Sequence, residues 1–128
     1  MIHGIGTDIV SVSRLVQLYE RYGHRFARRI LSDEEYLEFE KLNHPEHFLA
    51  KRFAVKEAAS KALGTGFRDG LSLKHIAVTH DALGKPQLVF HGYAKQLQTE
   101  LNIGDMHLTI SDEESYAVAF VVLMKAVN

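Results

Sequence analysis

Pro45-Glu-His-Phe-Leu-Ala-Lys-Arg-Phe-Ala-Val-Lys-Glu-Ala-Ala-Ser-Lys-Ala-Leu-Gly-Thr-Gly66 is the stretch on which the reading of the fold turns. Proline suits the first turn of a helix, the run to Leu63 is rich in Ala, Lys, Glu, Leu and Phe, and Gly64-Thr-Gly66 closes it. Upstream, Leu31-Ser-Asp-Glu-Glu-Tyr36 carries a capping box in Ser32 and Glu35 and a hydrophobic staple in Leu31 and Tyr36, so another helix starts there and ends near Asn43. Ser11 or Ser13 caps an earlier helix that runs to about Tyr22, with Leu15, Leu18, Tyr19 and Tyr22 on its apolar face, and Gly23 interrupts it. Before it, Ile2 to Asp8 reads as a short strand that delivers Asp8 to its C-terminal edge. Downstream come a strand from Leu73 to His80, a turn from Asp81 to Pro86, a strand from Gln87 to His91 and a short helix from about Tyr93 to Leu101. Met106 to Ser111 and Tyr116 to Met124 read as paired strands, the second apolar enough to require cover. Helices lead and strands follow, so the class is α+β: one small domain over residues 1–128, its long helix packed on an antiparallel sheet.

Composition narrows the function. The 128 residues are 46% apolar and 24% charged, which suits a packed core and argues against disorder. A formal charge of -1 leaves no global cationic field for nucleic acid, so any polyanion site is local. The absence of cysteine excludes disulfides, thiolate metal sites and a thiol nucleophile. No signal-peptide pattern opens the chain and no apolar run reaches bilayer length, so the expectation is a cytoplasmic protein without membrane contact. No Gly-x-Ser-x-Gly elbow and no phosphate-loop motif is present, and Gly4-x-Gly6 lacks the third glycine of a dinucleotide fingerprint.

At about 100° per residue, Glu57, Lys61 and Gly64 fall within about 60° of one another, with Ser60 close by. An acid, a base and bare backbone then share one helix face. The same spacing also describes an ordinary exposed Glu–Lys pair. Arg52, Lys56 and Lys61 put three cations on a helix that ends in unencumbered backbone, a setting suited to phosphate. Asp8 is either a turn residue after the first strand or, with Glu57, one of a carboxylate pair for a hard divalent cation whose other ligands are phosphates and waters. Arg14, Arg21, Arg25 and Arg28 would line up on a continuous helix as a basic stripe, either a solvated face or a docking edge for an acidic partner. The eight histidines show no zinc spacing; His107, on a strand near the other candidate groups, is the exception to a purely structural reading.

Gly4-Ile-Gly-Thr-Asp-Ile-Val10, Arg29-Ile-Leu-Ser32, Arg52 through Gly66, Gly84-Lys-Pro86 and His107-Leu-Thr-Ile-Ser111 together resemble the holo-(acyl-carrier-protein) synthase family over nearly the whole chain. The resemblance implies the 4′-phosphopantetheinyl transferase fold and transfer of 4′-phosphopantetheine from coenzyme A to a serine of apo acyl carrier protein, in fatty acid biosynthesis. It further implies Mg2+ as cofactor and a homotrimer with nucleotide sites between subunits. By this likeness Asp8 and Glu57 are metal carboxylates and Lys61 stands near the diphosphate, the three forming the catalytic group. Arg52, Gly64, Thr65, Gly66 and His107 become nucleotide contacts, and Lys85 with Pro86 borders the adenine. Arg14 and Arg21 match carrier-docking positions, with Arg25 and Arg28 extending the stripe. Asp112 stands where many family members carry His, so roles of that histidine do not transfer. Two other readings remain: a transferase for other carrier proteins, and a non-catalytic trimer that binds nucleotide or an acidic partner.

Overall fold

Local signals and long-range packing divide the work of building this chain. The structure is a computed structural model and describes residues 1–127. Strand β1 (Ile2–Ser11) leads into four helices, α1 (Val12–Tyr22), α2 (His24–Ile30), α3 (Asp33–Glu40) and α4 (Glu46–Leu63). A 3-10 turn at Leu73–His75 precedes β2 (Ile76–His80) and β3 (Pro86–Phe90), followed by α5 (Gly92–Glu100), β4 (Ile103–Asp112) and β5 (Tyr116–Lys125). The expected α+β order is present, with two differences of consequence.

The first lies at Gly23. Its φ of 61° is open to glycine at little cost; its N–H closes α1 on Tyr19 O, and its own carbonyl accepts from Phe26 N at 3.1 Å. The chain thus stops one helix and starts another, α2, which sequence reading had not separated, and the basic stripe is broken: Arg14 and Arg21 ride on α1, Arg25 and Arg28 on α2. The second is β1. It continues past Asp8 to pair Ser11 with Tyr116, so Asp8 sits within the strand and not at its edge.

α3 begins as expected, with Ser32 Oγ accepting from Glu35 N while Ser32 N donates to Glu35 Oε1 at 2.9 Å. The sheet order is β1-β5-β4, antiparallel throughout, with β2-β3 as a separate hairpin. On the central strand β5, Ala117, Ala119, Val121 and Leu123 turn inward and are fully buried against α4, whose Leu49, Ala54, Val55, Ala58 and Ala62 meet them in one core. Two glycines permit that contact. A Cβ on Gly4 would stand 2.1 Å from Ala62 O, and one on Gly6 would stand 2.0 Å from Ala58 O, so Gly4-x-Gly6 is a helix-packing device. The other face of the sheet is bare in the single chain: Ile5 is 59% and Ile9 64% exposed, beside exposed Tyr116 and Phe120. The cover expected for β5 is present on one side only.

Candidate active site

Asp8 projects from β1 on the same side as Gly6, two residues earlier, and so faces α4. Glu57 and Lys61 stand one turn apart on the helix face that meets it. Lys61 Nζ donates to Asp8 Oδ1 at 3.1 Å and to Thr7 O at 3.0 Å. Partial burial raises the Glu57 carboxyl above its ordinary pKa, the negative charge of Asp8 raises it further, and Lys61 and Arg14 pull it back. The structure therefore gathers Asp8, Glu57, Lys61 and Arg14 from three elements. Ser60, near them by helical phase, is not available: it is buried and its Oγ donates to Glu57 O within the helix.

Just beyond Lys61 the helix ends. Gly64, at φ 87°, donates to Ser60 O and Lys61 O, and Gly66 N reaches Ser60 O at 3.3 Å. A Cβ on Gly64 or Gly66 would meet nothing within 4 Å, so this backbone lies open to an approaching ligand, with Thr65 between them bonded to Gly66 O. Beside Glu57 runs a groove of about 450 Å³ lined by Phe26, Phe53, Phe67, Leu71 and Leu73, with Arg29 at its wall.

The three-cation reading of α4 needs correction. Lys56 is completely buried, donating to Glu35 Oε1 at 2.7 Å, to Leu73 O at 3.1 Å and to Ile76 O. Arg52 is only 4% exposed, lies 3.5 Å from Glu35 and 3.6 Å from the surface carboxylate of Glu38, and covers the Phe48 ring. Burial holds both cations below their ordinary pKa values, and Glu35 offsets part of that shift. Glu35 also accepts from Val78 N at 3.0 Å, so its carboxylate ties α3, α4 and β2 together. The sequence does not announce this network: there Glu35 reads only as a cap and Lys56 as one of three cations suited to phosphate. The signal was there: Lys56 shares its helix face with Leu49, Ala59 and Leu63, and a cation on an apolar face requires a buried carboxylate.

Other expected residues are spread more widely. His107 lies on β4 with its exposed side chain on the bare sheet face, opposite the α4 face, so one chain does not bring it to Asp8 and Glu57. Lys85 and Pro86 end the turn between β2 and β3, where Asp81 accepts from the N–H groups of Leu83 and Lys85. Those bonds hold the Asp81 carboxyl below its ordinary pKa. Arg21 covers the Tyr22 ring and Arg28 the Tyr36 ring, at 5.2 and 4.3 Å from the centroids, while Arg25 lines a cleft with Leu18, Phe26 and Arg29. Asp112 is exposed at the end of β4.

Among the described residues, no group of three or more His, Cys, Asp or Glu gathers as a metal cage. The donors at hand are the two hard carboxylates of Asp8 and Glu57, with an ammonium already standing as cation against Asp8. That set fits a magnesium-like ion completed by water and substrate phosphates, and does not fit zinc. A carboxylate pair, a lysine and open helix-end backbone, mounted on a small α+β fold, form a setting chemically suited to a phosphate ester. Residues 4–121 match the 4′-phosphopantetheinyl transferase superfamily, and the chain belongs to that family. It is 56% identical to the holo-(acyl-carrier-protein) synthase of Nitrosospira multiformis, over 98% of this chain and all of that one. The crystal structure of holo-(acyl-carrier-protein) synthase from Neisseria meningitidis superposes with a TM-score of 0.93 at 48% identity, covering 98% of this chain and 100% of that one. A third similar protein is the Bacillus anthracis synthase, in complex with CoA (3′,5′-ADP), with a TM-score of 0.83, 36% identity and coverage of 98% and 99%.

Proposed function

We propose that this protein transfers the 4′-phosphopantetheine group of coenzyme A to a serine of apo acyl carrier protein, in the cytoplasm and in the service of fatty acid biosynthesis. The observation that carries the reading is the meeting of Asp8, Glu57 and Lys61 at the open end of α4. The name and high identity of the Nitrosospira relative, and the coenzyme A complex of the Bacillus one, support the same substrates.

In the reaction the serine oxygen bonds to the β-phosphorus of coenzyme A. The bond from that phosphorus to the bridging oxygen breaks, and adenosine 3′,5′-bisphosphate leaves with the negative charge. Asp8 and Glu57 would hold Mg2+, which when bound neutralises charge that builds on the diphosphate. Lys61, on a flexible and half-exposed stem, brings its ammonium to the same oxygens. Glu57, directly or through a bound water, is our candidate for the base that takes the serine proton, because it stands beside Asp8 and Lys61 on the face where the diphosphate would lie. The backbone of Gly64, Thr65 and Gly66, together with Lys85 and Pro86, forms the proposed contact for the nucleotide end. Arg52 joins it only by exchanging Glu38 for a phosphate. Arg14 and Arg21 on α1 form the proposed carrier-docking edge, with Arg25 and Arg28 beyond the bend.

We further propose a homotrimer. The bare face of Ile5, Ile9, Tyr116 and Phe120 is the kind of exposed apolar surface that marks an interface, and His107 stands on that face where it would serve a neighbour's nucleotide site. The test is to incubate the protein with apo acyl carrier protein, coenzyme A and magnesium, with and without chelator, and to weigh the carrier intact. A chelator-sensitive gain of about 340 Da, the mass of the transferred group, is expected. No gain on a verified apo carrier would overturn the assignment.

A further inference from the structure

Among the described residues, the only salt bridge to Asp8 comes from Lys61. The contact is built like a cation site. The ammonium touches one carboxylate oxygen and one backbone carbonyl, Thr7 O, at 3.1 and 3.0 Å, and Glu57 stands one turn away on the same helix face. The two partners differ in freedom: the Lys61 side chain is 53% exposed and that of Asp8 16%, so the lysine end can leave while the carboxylate stays. A divalent ion on Asp8 and an ammonium 3.1 Å from one of its oxygens repel each other, so the two cations compete for this carboxylate.

We propose that Lys61 is a stand-in cation that holds the Asp8 position in the free protein and yields it to the divalent ion, so that Lys61 pairs either with Asp8 or with substrate diphosphate but not with both. The proposal rests on the reading of Asp8 and Glu57 as metal carboxylates. It adds a sequence of events within the site. The incoming diphosphate supplies the ligands that the two carboxylates lack, and it supplies the new anionic partner that Lys61 needs on release. Metal and substrate then favour each other's binding, and by linkage the effect is reciprocal. The free protein, by contrast, takes the metal weakly, since binding must first break the Lys61 contact.

The test uses Mn2+ alone, titrated into the free protein and followed by the loss of the free-ion electron paramagnetic resonance signal, with folding verified by circular dichroism. Lys61→Met is expected to bind Mn2+ about fivefold more tightly than the wild type, the upper range for release from a partly exposed ion pair. Lys61→Arg, which keeps a cation, is expected to stay near wild-type affinity, and Asp8→Asn combined with Lys61→Met is expected to lose the site. Equal or weaker binding by Lys61→Met would overturn the stand-in role while leaving the metal carboxylates intact. Absence of any binding that Asp8→Asn abolishes would overturn the metal reading, and the stand-in with it.

Discussion

Replacing Lys56 by Met isolates what the buried charge network contributes. The Met side chain fills much of the lysine stem's volume, so the change removes an ammonium and three hydrogen bonds and opens little cavity. Left behind are the Glu35 carboxylate, almost wholly buried, and the carbonyls of Leu73 and Ile76 without that donor. Removing one partner of a buried ion pair costs about 3–5 kcal/mol. Glu35 keeps the N–H groups of Ser32 and Val78 and has Arg52 at 3.5 Å, which favours the lower end, about 3 kcal/mol. Against a total stability of about 5–15 kcal/mol this is a large fraction, and at roughly 4 °C per kcal/mol it lowers the melting temperature by about 12 °C. The assay is urea unfolding followed by circular dichroism at one fixed protein concentration. The same measurement is made on Lys56→Met combined with Glu35→Gln, which leaves no stranded charge and keeps one amide oxygen to accept from one of the two backbone N–H groups. The double variant is expected to recover at least about 1 kcal/mol. A loss below about 1 kcal/mol for Lys56→Met, or a double variant less stable than the single one, would refute the reasoning.

Four further outcomes are expected. Glu57→Gln abolishes transfer yet leaves the protein at least as stable at pH 7: the native carboxyl is raised, so its ionisation opposes folding above the ordinary Glu pKa of about 4.3, and the gain fades as pH falls from the raised native pKa toward that value, which unfolding curves at pH 7 and 4 will report. Charge reversal at Arg14 and Arg21 raises KM for the carrier protein several-fold and scarcely changes KM for coenzyme A; equal effects in steady-state kinetics would argue against docking. Gly6→Ala drives a methyl to 2.0 Å from Ala58 O and costs about 2–3 kcal/mol in denaturant unfolding, because the obstacle is helix backbone. Ile9→Asp places a charge on the bare sheet face and is expected to convert the proposed trimer to monomers in sedimentation velocity, whereas an unchanged mass would remove that face from the interface.

Features settled between near neighbours in the chain are legible without a fold. The start of α3 follows from two reciprocal bonds between Ser32 and Glu35, the end of α4 from the left-handed Gly64, and the turn before β3 from Asp81 bonding its own backbone. Each involves groups only a few residues apart, so the pattern in the chain is already the interaction. The phase of Glu57, Lys61 and Gly64 on one helix face was legible for the same reason. Which faces turn inward depends on contacts between distant parts of the chain. Lys56 reads as one of three cations suited to phosphate until Glu35, 21 residues away, and Ile76, 20 residues away, close around it. Gly4 and Gly6 read as a broken nucleotide fingerprint until α4 lies against them. His107 reads as a neighbour of Asp8 and Glu57 until the register of β4 on β5 turns it to the opposite face, the one proposed to meet another subunit, since a strand side chain changes face with every residue. Asp8 becomes a partner of Lys61 across 53 residues only because α4 packs on the strand that carries it.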